Sequence, residues 1–210
     1  MNIENMTIGE FAKSLASSAP VPGGGATSSL AGALGASLGS MVAHLTAGKK
    51  KYADFEERVQ ELIPELEEIR ERFLRLSEED EINFLPLSKA YKLPRNTPEE
   101  KAQREEVMEA ALKLACEAPF KSLELALHTI EILAELKDRG SRLAVSDTGS
   151  GLKLMEAALS ASLLNIFVNT NMMKDREYAK GLNDRALDIY RRGREDCVRI
   201  YAEIVEELSR

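Results

Sequence analysis

The stretch FEERVQELIPELEEIRERFLRL, residues 55–76, decides the fold. Its apolar residues Phe55, Val59, Leu62, Leu66, Ile69, Phe73 and Leu76 recur at steps of 4, 3, 4, 3, 4 and 3. That spacing lines them up on one stripe of an α-helix, with Glu and Arg filling the outer positions. A strand would alternate with period two, and no such alternation runs beyond a few residues anywhere in the chain. Pro64 lies inside the seam, where it either kinks the helix or marks a late start. The helix then runs toward Tyr91.

Working outward, every segment reads as helix or connection. Thr7 and Glu10 form a capping-box pattern before Phe11, Leu15 and Ala16, which predicts a short first helix. SSAPVPGGG, residues 17–25, reads as a loop. From Ala26 a helix of about 22 residues follows, with small residues on several faces. Beyond the connection at Lys92–Asn96, Thr97, Pro98 and Glu100 mark a helix start. That helix should reach about Glu117. Pro119 opens the next, which carries Leu123, Leu127, Ile130 and Ala134 on one face and stops at Gly140. A loop from Ser141 to Ser150 leads into an apolar helix from about Gly151 to Met173. A last amphipathic helix starts near Arg176. The expectation is a single all-α domain over residues 1–210, a helical bundle with long antiparallel helices and no internal repeat or linker.

Composition narrows the chemistry. With 44% hydrophobic and 30% charged residues in 210, the chain can bury a core. The 28 Lys+Arg against 35 Asp+Glu give a net charge of -7, which lacks the basic footprint of a general nucleic-acid binder. His44, His128, Cys116 and Cys197 are the whole supply of imidazole and thiol, with no C-x-x-C and no close His pair. A metal site of soft ligands is not expected from them, and two cysteines make no disulfide framework, so a reducing, cytoplasmic setting fits. MNIENMTIGEF has no signal-peptide pattern. Leu30–Ala47, rich in Gly, Ala and Ser and containing His44, reads poorly as a membrane span. In an enzyme of this composition, carboxylates and backbone groups would do most of the chemistry.

Several residues break the structural pattern. Gly23, Gly24 and Gly25 stand at the mouth of a predicted helix, where backbone N–H groups can face an anion or a planar ligand. Gly25 is followed by Ala26 and Thr27, so the loop is no P-loop. It reads either as a ligand loop or as a flexible connection that Pro20 and Pro22 stiffen. Gly32, Gly35 and Gly39 each cost roughly 1 kcal/mol inside a helix, and close helix packing is the favoured reason. Continuing the seam past Leu76 by 4 and then 3 reaches Asp80 and Asn83, while Glu78 and Glu79 fall outside it. A carboxylate on an apolar seam is either partly buried, with a raised pKa suited to proton transfer, or exposed because the helix has left the core. Asn165 and Asn169 share a face of the apolar helix and could meet a heterocycle or another helix. Asp147 either caps that helix or anchors an amine. Lys49, Lys50 and Lys51 suit a helix C-terminus or an anionic substrate tail.

Five segments, in order, resemble the cyclodeaminase/cyclohydrolase family of folate one-carbon enzymes. They are PVPGGGATSSLAGALGASLGSMVAHLTAGKKKY (20–52), LSEEDEINF (76–84), YKLPRNTPEEK (91–101), AVSD (144–147) and LLNIFVN (163–169). The family includes the C-terminal domain of bifunctional formiminotransferase-cyclodeaminase and stand-alone bacterial proteins. The resemblance implies an all-helical homodimer that acts on tetrahydrofolate derivatives, with or without a polyglutamate tail, and uses no metal or further cofactor. The family's essential aspartate matches Asp80. Gly23, Gly24, Gly25, Lys50, Asp147, Asn165 and Asn169 fall in its recurrent motifs as substrate-binding candidates, with Asp147, Asn165 and Asn169 toward the pterin and Lys50 toward the glutamate tail. The activity implied is cyclodeamination of 5-formiminotetrahydrofolate, with methenyltetrahydrofolate cyclohydrolase as the near alternative and a non-catalytic helical dimerisation module as the distant one.

Overall fold

The structure is a computed structural model that describes residues 5–210. Among these residues the regular elements are all helical: α1 (Ile8–Leu15), α2 (Gly24–Thr46), α3 (Glu56–Ala90), α4 (Pro98–Ala115), α5 (Glu117–Arg139), α6 (Val145–Thr170) and α7 (Arg176–Leu208). Two tight 3-10 pieces, Lys50–Phe55 and Arg142–Ala144, join α2 to α3 and α5 to α6. The predicted all-α bundle is what forms.

The seam of residues 55–76 is buried along its whole length, from Phe55 to Leu76. Neither proline ends α3: Pro64 and Pro86 both lie inside it. Both are on its exposed side, and so are Gln60 and Ile82, four residues earlier, whose carbonyls lose their helical donors to the ring nitrogens. Water can take those carbonyls, so the helix passes through.

α2 lies at the centre, against α3, α5 and α6. Its interior glycines are packing positions. A Cβ on Gly32 would overlap the Phe73 ring. On Gly35 it would lie 2.8 Å from Met155 Cε and 3.1 Å from the Gly151 carbonyl, and on Gly39 3.2 Å from Leu66 and Leu133 methyls. These pairs also give the directions. α2 meets α3 at Gly25–Asp80, Gly32–Phe73 and Gly39–Leu66, so the two are antiparallel. Gly24 beside Asn165 and Gly35 beside Gly151 make α6 antiparallel to α2 as well.

Two boundaries differ from expectation. The triple glycine is not all loop: Gly23 is the N-cap of α2, and Gly24 and Gly25 are its first two helical residues. α6 begins at Val145, six residues before the predicted start, because Gly149 and Gly151 tighten packing instead of breaking the helix. Gly149 faces Ile204, and Gly151 faces Gly35 and Leu133. By length and composition Arg142–Thr170 could cross a membrane, a stretch other than the one singled out in the sequence. Its inner side, including Leu152, Met155, Leu159 and Ile166, is buried against α2, α5 and α7.

Candidate active site

At the glycine end of α2, a cleft of about 530 Å³ opens between α2, α3, α4 and α6. Pro20 and Val21 form its rim and Gly23, Gly24 and Gly25 its floor, while Asp80, Phe84, Ala115, Asn165, Val168 and Asn169 line its walls. Six of the eight sequence candidates therefore converge, from three helices that are far apart in sequence.

The convergence follows from local chemistry. Gly23 caps α2 with no side-chain hydrogen bond, so the first-turn N–H groups are left to other acceptors. Asp80 takes one of them, from Ala26. Ser77, one turn earlier on α3, donates to the Ala26 carbonyl at 2.9 Å and ties the same two helices together. The Asp80 carboxylate then rests against the Gly25 backbone, and a Cβ at that position would overlap it. Glycine here is a requirement of close approach.

Asp80 is half-buried. Burial pushes its carboxyl up to about 6; the Ala26 N–H opposes the rise and the neighbouring Glu81 carboxylate adds to it. Of the two readings left open by the periodicity, the partly buried one holds. Glu79 points elsewhere, to Arg72 at 2.6 Å and Lys121 at 3.3 Å.

The two amides divide their work. Asn169 is buried and donates across to the Ala115 carbonyl at 3.2 Å, the helix–helix bond weighed as its plain role. Asn165 donates to the Ala161 carbonyl of its own helix at 2.8 Å and lies over Gly24. That bond uses one of its two amide hydrogens, so the other hydrogen and the oxygen remain for a ligand edge.

Lys50 and Asp147 are not in the cleft. Lys50 is exposed beyond the C-terminus of α2, and Asp147 sits in the first turn of α6, inside the helix instead of before it. Because α6 is antiparallel to α2, both lie at the far end of the bundle, about 33 Å away at 1.5 Å per residue along α2. The resemblance grouped them with the substrate-binding candidates; within one chain they stand apart from the cleft.

Along the cleft walls, sequence reasoning missed Phe84, Val168, Ala115 and the neighbouring Glu81. Phe84 follows Asp80 by four and shares its stripe, so the register held that signal. Glu81 is buried beside Asp80 although the 4-3 seam passes it by. The steps of four from Phe73 through the buried Ser77 reach it, because a straight helix drifts about 20° per heptad from the 3.5 repeat. Ala115 carries no signal.

The remaining reactive side chains have structural roles. His44 Nδ1 meets the Ser40 carbonyl and His128 Nε2 meets Glu65, each at 2.8 Å. Cys116 and Cys197 are free and buried, with their thiols pushed up to about 12 by burial. No cluster of three or more His, Cys, Asp or Glu that could hold a metal lies among the described residues.

Residues 7–188 match the family model described as formiminotransferase-cyclodeaminase. A methenyltetrahydrofolate cyclohydrolase of Methylorubrum extorquens is 36% identical over 84% of this chain and 85% of its own length. The formimidoyltransferase-cyclodeaminase of Gallus gallus is 29% identical over 81% of this chain, which spans only 32% of that protein. The crystal structure of a formiminotetrahydrofolate cyclodeaminase from Thermotoga maritima superposes with a TM-score of 0.81 at 26% identity, covering 99% of this chain and 98% of that one. The chain belongs to the formiminotransferase-cyclodeaminase family of folate one-carbon enzymes.

Proposed function

We propose that this protein converts 5-formiminotetrahydrofolate to 5,10-methenyltetrahydrofolate and ammonia, with Asp80 as its proton-transfer group. The observation that carries the reading is a carboxyl poised at about 6, pressed against a glycine floor inside a cleft that also presents an unspent amide.

In the reaction, N10 of the folate attacks the carbon of the protonated formimino group. The N10–C bond forms and the C=N π pair moves to the terminal nitrogen. Asp80 takes the N10 proton and delivers it to that nitrogen. The C–N bond then breaks, ammonia leaves, and the positive charge is shared between N5 and N10. An ionised Asp80 beside that carbon also favours the developing cation. Asn165 is positioned to read a donor–acceptor edge of the pterin, and Phe84 and Val168 supply apolar walls. The mechanism calls on no metal or cofactor besides the folate, and the assignment is to a cytoplasmic homodimer.

Cyclohydrolase activity is a second reading, favoured by the Methylorubrum extorquens relative. Water would add to the same carbon of the methenyl product and the ring would open, so one site could serve both. Purified protein offered each substrate in turn separates them by the methenyl chromophore. Its appearance from the formimino substrate supports cyclodeamination. Its accelerated loss supports hydrolysis, and no change with either substrate would overturn both.

A further inference from the structure

The first turns of α2, from Gly25 to Ser29, are ringed by hydroxyls where a bundle core would carry alkyl groups. Ser28, Ser29, Ser77, Ser122 and Ser162 come from four helices, and each is at most 2% exposed. A buried hydroxyl is costly unless it is bonded, and all five are. Ser29 Oγ and Ser122 Oγ of α5 lie 2.7 Å apart. Ser28 donates to the Gly25 carbonyl at 2.8 Å and meets Ser162 of α6 at 3.3 Å. Ser77 of α3 donates to the Ala26 carbonyl at 2.9 Å.

Ser77 differs from the others in its neighbour. Ser77 and Asp80 are three residues apart on one face of α3, and both act on Ala26, the hydroxyl on its carbonyl and the carboxylate on its N–H. The backbone ladder of α2 begins with Thr27 N–H bonding the Gly23 carbonyl, and Gly23 has no side chain to cap the turn. The Ala26 N–H therefore has no acceptor in its own helix, and Asp80 supplies the cap from another one. The Ala26 carbonyl is in a different position. The helical ladder of α2 already uses it, so the Ser77 bond engages its second lone pair and satisfies no orphan. What that bond adds is a second point of attachment. One contact, Asp80 on Ala26, would let α3 pivot about it; two contacts on the same residue fix the approach.

We propose that Ser77 is the positioning residue of Asp80: its hydroxyl holds Ala26 against α3 and so keeps the carboxylate seated on the Ala26 N–H and aimed into the cleft. The role rests on the reading of Asp80 as the proton-transfer group.

The charges around Asp80 give the direction of the effect. The residues of α2, α4 and α6 that line the cleft are uncharged. On α3, Glu81 lies beside Asp80, and Glu79 is paired away with Arg72 and Lys121. Burial and Glu81 push the Asp80 carboxyl up, and the Ala26 N–H opposes them. A loosened Ala26 therefore raises the titration further.

NMR of carboxyl-labelled aspartate, assigned with Asp80→Asn, reads that titration without substrate. Ser77→Ala substitutes a good helix former of similar size. It should move the Asp80 midpoint up from about 6 by roughly half a unit or more. The pH limb of kcat/KM should move with it, and kcat should fall about tenfold. Ser122→Ala is the matched control, since it removes an equally buried hydroxyl bond around the same turns but on α5. It should lower the denaturation midpoint and leave the titration and kcat in place. An Asp80 midpoint unmoved by Ser77→Ala overturns the proposal. An equal shift in Ser122→Ala also overturns it, because the effect would then be a general loosening of α2. A wild type inactive on both folates would fail the folate reading, while the titration still decides whether Ser77 holds Asp80.

Discussion

The two halves of α3 follow one register toward different ends. From Phe55 to Leu76 every seam position is apolar and buried, closed over by α2 and α5. From Asp80 onward the same steps of four and three place a carboxylate and an amide where a leucine would be expected, and only Leu87 returns to the pattern. The contrast teaches that a helix can be aimed by its packed half and used by its other half. Phe73 against Gly32 fixes the rotation of α3 on α2, and Asp80 against Gly25, two turns later, inherits that rotation.

Separating the halves gives the largest predicted effect. Asp80→Asn should lower turnover by about 10²–10⁴-fold while far-ultraviolet circular dichroism stays unchanged. A near-normal rate would remove Asp80 from the mechanism. In the wild type kcat/KM should rise with pH and level off above about 6, since the ionised carboxylate is the base; a limb kept by the variant would belong to another group. Phe73→Ala addresses the packed half and should cost about 3–5 kcal/mol in chemical denaturation. If it folds at low temperature, its pH limb should shift, because Asp80 inherits its placement from this contact. A limb left in place would mean that the Gly25 contact holds Asp80 without help from the packed half.

Smaller effects sharpen the boundary between them. Folding raises the carboxyl of Asp80 from 3.8 to about 6, so its contribution to stability is fully present below pH 3.8 and is lost as pH rises through about 6. Asp80→Asn should therefore match the wild type in acid and exceed it by roughly 2–3 kcal/mol above pH 7. Equal denaturation midpoints at pH 8 would argue that the carboxylate is well solvated. Glu79→Gln, one residue away but paired outward with Arg72 and Lys121, should change stability by less than about 1 kcal/mol and leave kcat intact. A large loss of rate there would extend the functional half beyond Asp80.

Much of this contrast is legible in the amino-acid sequence because it is periodic. The seam, the capping boxes at Thr7 and Thr97 and the misplaced Asp80 are local patterns, and each appears where the spacing puts it. The start of α6 was not legible, since Gly149 and Gly151 read as punctuation until the neighbours that need their missing side chains are known. Lys50 shows the same limit at longer range. Its motif identifies it as a binding candidate, but only the antiparallel course of α2 and α6 reveals that it stands at the opposite end from Asp80.

The contact between Gly25 and Asp80 has a consequence for redesign. The depth of the cleft floor depends on one absent methyl group, on a helix whose remaining glycines hold the interior together. Exchanging Phe84 or Val168 could move a wall of the cleft, but not the floor. Moving the floor would require α2 and α3 to slide, and the tolerance for sliding is what Gly32 and Gly39 have already used up.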